Sequence, residues 1–156
     1  MVNIPVKALL FLLILFIPFS CGDKRYDHVI RIGDKVVCVE IADSDHKRTQ
    51  GLSERKGLPK DCGMLFVFNV PERKEFWMYH CHFDIDIAYI NTGGVIEEIV
   101  NMKKEPYDRP VHLLKKYPSK SYSILYALEV NSGFFEKNKI ASGDIIEGLP
   151  SGVSDN

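Results

Sequence analysis

Glu75–Asn91 reads EFWMYHCHFDIDIAYIN, and its pattern decides the class of fold. The stretch holds the only tryptophan, two histidines flanking a cysteine, and two aspartates inside an otherwise apolar run. Glu75–Cys81 and Asp84–Asn91 are short segments rich in aromatic and β-branched residues, which suits strands better than helix. Thr92-Gly93-Gly94 closes the second segment, and Val95–Met102 (VIEEIVNM) follows naturally as its hairpin partner.

Upstream, Met64–Phe68 (MLFVF) is a continuous apolar run between Gly63 and Pro71, the signature of a strand buried on both faces. His28–Ile32 and Lys35–Ala42 flank Gly33-Asp34, the turn chemistry of a two-residue hairpin loop. Asp43–Leu52 (DSDHKRTQGL) opens with N-cap residues and predicts a short surface helix ended at Gly51. Downstream, 103–121 is a polar connection interrupted by Pro106, Pro110 and Pro118, a length that marks either a functional loop or irregular wrapping. Ser123–Val130 predicts a strand, Asn131–Asn138 one or two helical turns with Phe134 and Phe135 turned to the core, and Asp144–Glu147 a last strand. The expected fold is mainly β (β-rich α+β), a single compact barrel-like or sandwiched sheet with one or two short helices.

A chain of 156 residues is the length of one domain plus accessories. Its net charge of −1 leaves no broad basic surface, so nucleic acid is not an expected partner. The N-terminus is a different material: Lys7, then the uninterrupted apolar run Ala8–Ile17. About ten apolar residues cannot span ~30 Å of hydrocarbon as a helix, so the run reads as the core of an export signal. It ends at Pro18-Phe19-Ser20-Cys21, which resembles the lipobox of bacterial lipoproteins, although Pro18 and Phe19 stand where leucine and a small residue are commonest. The expected organisation is a signal peptide over 1–20, a lipidated tether over 21–27 beginning at Cys21, a β-rich domain over 28–147 and a tail over 148–156. The expected location is the bacterial cell envelope, outside the cytoplasmic membrane and held there by lipid. In that oxidising compartment Cys38, Cys62 and Cys81 allow one disulfide with one thiol left over. Sequence leaves the pairing open. A Cys62–Cys81 bridge is preferred because both border apolar strands, while Cys38 also fits a small buried core residue.

Several stretches together resemble the domain of unknown function 192 family: VEIADSDHKRTQGLSERKGLP, GMLFVF, FWM, DIDIAYI, the YPS at Tyr117–Ser119, and YALEVNSGFFEKNKIASGD. Their order and spacing run across residues 37–147. The resemblance implies a compact β-rich fold and exported members, and it supplies no activity. Members commonly carry Lys-Asn-Thr after FWM, where this chain has Tyr79, His80 and Cys81, and a proline where it has Asp84. The resemblance therefore draws attention to Trp77, Asp86 and Glu129 and leaves the His-Cys-His cluster as a feature of this variant.

Three functions fit these residues. In a regular strand Met78, His80 and His82 would share a face, and thioether and imidazole donors suit copper while imidazole suits zinc. Two histidines fall short of the three protein donors a zinc site needs. Asp86 and Glu129 each sit between apolar neighbours, and an ionised carboxylate taken from water needs a partner. Alternation alone turns each outward as a solvated strand residue. Converging near Trp77 with His80, they would instead form a polar site for a small ligand, or an acid/base pair for an envelope hydrolase. Trp77 on its own reads most simply as core. The leading expectation is a non-catalytic, membrane-tethered extracytoplasmic domain that binds a small ligand or an envelope partner. No resident cofactor is expected. Copper or zinc handling through Met78, His80 and His82, and hydrolysis by Asp86 and Glu129, are the alternatives.

Overall fold

Period-2 alternation in the apolar segments builds the architecture seen in the structure, a computed structural model that describes residues 25–151. The expected signal segment over 1–20, residues 21–24 of the expected tether with its proposed lipid acceptor Cys21, and residues 152–156 of the tail lie outside the described residues. β1 (His28–Ile32) and β2 (Lys35–Ala42) form the anticipated hairpin, with Gly33 at φ +56° and Ile32 paired to Lys35. α1 (Asp45–Gln50) starts at Ser44, whose side chain accepts from the Lys47 N–H, and stops at Gly51, where φ is +49°. β3 (Cys62–Glu72) then runs parallel to β2. There follow β4 (Glu75–Phe76), β5 (Ile85–Asn91), β6 (Ile96–Met102), a 3-10 turn (Val111–Leu113), β7 (Tyr117–Pro118), β8 (Ile124–Asn131), α2 (Phe134–Lys137) and β9 (Ile146–Glu147).

Seven strands make one sheet in the order β6-β5-β8-β3-β2-β1-β9, and β4 pairs with β7 in a separate ribbon. The chain just before each edge strand closes the sheet on itself. Val95 bridges Ile145, Ile96 N donates to Asp144 O at 2.9 Å, and Ile146 N donates to Gly94 O at 2.8 Å. The sheet is therefore curled and barrel-like, mainly β with two short α-helices, as the sequence led one to expect.

The two faces carry separate cores. Leu65, Val67, Ala88, Ile90, Leu128 and Val130 point to one, where Phe134 and Phe135 of α2 cover them. Met64, Phe66, Ile87, Tyr89 and Ala127 point to the other, beneath Leu52, Met78, Cys81 and Tyr117. β3 lies tight against β8 because Gly63 stands opposite Val130. A Cβ there would fall 2.5 Å from the Glu129 carbonyl oxygen, a backbone atom that cannot step aside.

Two expectations about local structure give way here. The strand foreseen over Glu75–Cys81 ends at Phe76, and the chain turns through residues 77–84 with His80 in the left-handed region at φ +50°. The disulfide joins Cys38 to Cys62, not Cys62 to Cys81. Parallel register places Cys38 directly beside Cys62 with Cα atoms 4.6 Å apart, within bridging range, while Cys81 packs as a free thiol in the other core. The 103–121 connection is wrapping: Tyr89 Oη donates to Tyr117 O, and Ser119 Oγ accepts from Lys74 N at 3.0 Å.

The bridge closes a loop with a sequence separation of 24, for which chain entropy gives a stabilisation of about 3 kcal/mol. Alkylation of the unfolded, unreduced chain should label Cys81 and spare Cys38 and Cys62. Urea unfolding of the Cys38→Ser variant should show a loss of roughly that size. Labelling of Cys38 in place of Cys81 would contradict the pairing.

Candidate functional site

The sheet register creates one anomaly on its second face. Glu40, Met64, Glu129 and Ile87 stand side by side on β2, β3, β8 and β5, so the Glu129 carboxyl is flanked by two apolar side chains within the sheet. Glu129 is 4% exposed, and among the described residues no hydrogen bond or ion pair holds its carboxyl. The cation that acts on it electrostatically is Arg55, whose guanidinium is already committed to Glu40 at 2.7 and 2.9 Å. Burial disfavours the charged form more than Arg55 favours it, and the carboxyl is pushed up to about 8. At neutral pH this is mostly a protonated acid in an apolar wall.

That carboxyl lines a cavity of about 320 Å³ between the end of α1, β3 and the β4 segment. Leu52, Phe66, Phe68, Phe76 and Trp77 supply the walls. Phe66 meets Phe76 edge to face with centroids 4.9 Å apart, and Phe68 meets the same ring at 6.4 Å. Trp77, 39% exposed, belongs to the mouth, where Lys116 Nζ lies 3.7 Å from its ring centroid. Lys74 Nζ lies 4.0 Å from the Phe68 centroid and is paired with Glu72 at 2.6 Å. Cys81 also lines the cavity; burial, then the charge of Glu129, pushes its thiol up to about 12, so it is no thiolate nucleophile. A pocket of this size with aromatic walls and polar groups to fix orientation is the ordinary form of a small-molecule site.

Of the residues singled out in the sequence, Trp77 and Glu129 come together here, and Asp86 and His80 do not. Asp86 pairs with Val130 while its neighbour Ile87 pairs with Glu129, so the two acids point to opposite faces of the sheet. Asp86 is 6% exposed and fully used: it accepts from Asn101 Nδ2 at 2.6 Å and from the Gly133 N–H at 2.8 Å, fastening the start of α2. A shared acid/base site for the pair is thereby overturned.

The Met-His-His face fails for a related reason. Once the strand ends at Phe76, alternation no longer applies, and Met78 (1% exposed) packs into the second core. His80 and His82 turn instead to Glu54, His80 Nδ1 lying 2.7 Å from Oε1 and His82 Nε2 3.6 Å from Oε2. Tyr107 stacks on His80 at 4.2 Å and donates from its hydroxyl to Glu54 at 2.9 Å. Those contacts, with the Tyr107 bond first, hold the Glu54 carboxyl below its usual range. Among the described residues no group of three or more His, Cys, Asp or Glu side chains is placed to hold a metal. The cluster works as a clasp that fixes the 103–121 wrapping and, through Ser53 Oγ donating to Tyr79 O at 2.8 Å, the pocket wall.

Sequence reasoning missed Glu54, Tyr107 and the contributions of Leu52 and Cys81. Glu54 and Tyr107 lie 53 positions apart, and no local pattern joins them. Leu52 carried a signal: it sits in one of the stretches that bear the family resemblance, and the MLFVF, FWM and YALE stretches supply Phe66, Phe68, Trp77 and Glu129 of the same pocket.

Residues 28–148 match the family DUF192, described as "Uncharacterized ACR". Among solved structures the chain is similar to a protein of unknown function from Novosphingobium aromaticivorans DSM 12444, at 26% identity and a TM-score of 0.66, covering 76% of this chain and 83% of that one. It is also similar to a putative transcription regulator from Sinorhizobium meliloti 1021, at 26% identity and a TM-score of 0.69, covering 81% and 98%. No curated protein matches.

The state of Glu129 makes stability depend on pH. The folded carboxyl keeps its proton to about 8, while an unfolded one releases it near 4.5. Between those values the native state binds the extra proton, so stability falls as pH rises and levels off above them. Urea unfolding at pH 5, 7 and 9 should show the Glu129→Gln variant gaining on the parent with pH, by on the order of a few kcal/mol at pH 9. Parallel profiles would refute the assignment.

Proposed function

The chain belongs to the DUF192 family, and we propose that it is a membrane-tethered domain of the cell envelope that binds a small ligand without transforming it. The observation that carries the reading is the Glu129 carboxyl, buried, without a hydrogen bond or ion pair among the described residues and facing a cavity walled by aromatic rings. A buried polar group without a partner is costly, and a ligand that supplies the missing partner recovers that cost on binding.

Binding fits these groups better than catalysis does. The pocket thiol is far from ionising, and the second acid weighed for hydrolysis faces the other side of the sheet. The envelope location is supported by the apolar run over Ala8–Ile17 with Cys21 behind it, and by the Cys38–Cys62 disulfide, a bond that persists in oxidising compartments.

Trp77 is the only tryptophan and stands at the pocket mouth, so its fluorescence reports occupancy. A panel of compounds with an apolar body and one polar group should contain members that change it saturably. Glu129→Gln should weaken those members at least tenfold, and Asp86→Asn, on the opposite face, should leave them unchanged. A panel without effect, or equal binding to both variants, would refute the placement. The Cys21→Ser chain should leave the membrane fraction, and its retention there would count against a lipid anchor.

A further inference from the structure

We propose that the pocket is shaped for an organic ammonium: a protonated amine on a slim apolar stem, its nitrogen at Glu129 and its stem against the aromatic walls. This deepens the binding reading above and rests on it.

The charges around the cavity come first. Arg48 is bound to Asp45 at 2.6 Å, Lys74 to Glu72 at 2.6 Å, and Lys116 approaches Glu75 at 4.0 Å. Each cation at the mouth thus has its own carboxylate, and of the acids lining the pocket Glu129 is the one with no ion pair among the described residues. Once ionised, above about pH 8, that acid repels an anionic ligand. A neutral ligand would need only a neutral amide there, and a glutamine would offer one without the cost of a titrating group. A cation alone makes use of the charge Glu129 can carry, and the pair then enters the apolar site with no net charge.

The walls point the same way. Ammonium groups are drawn to the faces of aromatic rings. Two of the chain's own already sit so at the pocket, Lys116 on Trp77 at 3.7 Å and Lys74 on Phe68 at 4.0 Å. Phe66 and Phe76 offer further ring surface inside. A volume of about 320 Å³ equals about ten water molecules at ~30 Å³ each, which admits a single ring or a short chain with an amine.

The pH dependence follows from the groups that face Glu129: Arg55 from the segment after α1, Cys81 from the turn after β4 and Tyr89 from β5. Arg55 stays charged, and burial raises Cys81 and Tyr89 so that both remain neutral up to pH 9. Of these groups, Glu129 is the one that changes state between pH 6 and 9. An ammonium needs it ionised and must displace its proton at lower pH, so amine affinity should rise with pH and level off near 8.

The test uses the full chain and Trp77 fluorescence with three compounds of one shape: 2-phenylethylamine, 2-phenylethanol and phenylacetate. At pH 8.5 the amine should bind at least tenfold more tightly than the alcohol, and phenylacetate should bind least. The preference should shrink on going to pH 6 and vanish in Glu129→Gln. A further arm with Nα-acetyl-lysine amide separates a partner's lysine side chain from a free amine, and the free amine should be the tighter. Equal binding of amine and alcohol, or tighter binding of the blocked lysine, overturns this inference and leaves the binding reading standing. Failure of all three phenyl compounds also overturns it, and the wider panel then decides the binding reading.

Discussion

The pairing of β5 with β8 sets everything else about the site. Ile87 opposite Glu129 and Asp86 opposite Val130 send two superficially similar acids to opposite sides of the sheet. A slip of one residue in β5 would put both acids on one face, because side chains alternate with period two. In the observed register Asp86 finds an amide, the Gly133 N–H and a place at the start of α2. Glu129 finds Met64, Ile87 and an apolar cavity. One acid is thereby structural and the other is left available.

The contrast is energetic as well as geometric. Buried polar groups in folded proteins are ordinarily hydrogen-bonded, and those that are not tend to mark sites where stability has been exchanged for function. Arg55 could have served Glu129, yet its fork is held by both oxygens of Glu40, two strands away on β2. The clasp of Glu54, His80, His82 and Tyr107 then keeps the turn over 77–82 in place as a pocket wall. The His-Cys-His motif so visible in the sequence thus divides into a scaffold on its two histidines and a buried thiol lining the cavity.

Much of the fold could be read from the sequence because its signals are local. The Gly33-Asp34 hairpin, the Ser44 cap and Gly51 stop of α1, and the alternation in β5 and β8 each depend on a few adjacent residues. What could not be read depends on distant partners. The β4–β7 ribbon joins Phe76 to Tyr117, and the disulfide follows from a parallel register that no local pattern announces. The FWM segment looked like continuous strand because its residues are apolar and aromatic, but tertiary contacts fold Met78 inward and put His80 in a left-handed turn. The site was half legible: the apolar neighbours of Glu129 marked it as unusual, and only the register could separate it from Asp86.

At neutral pH Glu129 carries its proton inside an aromatic-walled pocket. Carbon-13 NMR of the side-chain carboxyl carbon, assigned by comparison with Glu129→Gln, measures this without any ligand. One glutamate resonance should titrate near 8, apart from the others. A Glu129 resonance with its midpoint near the ordinary 4.5 would contradict it.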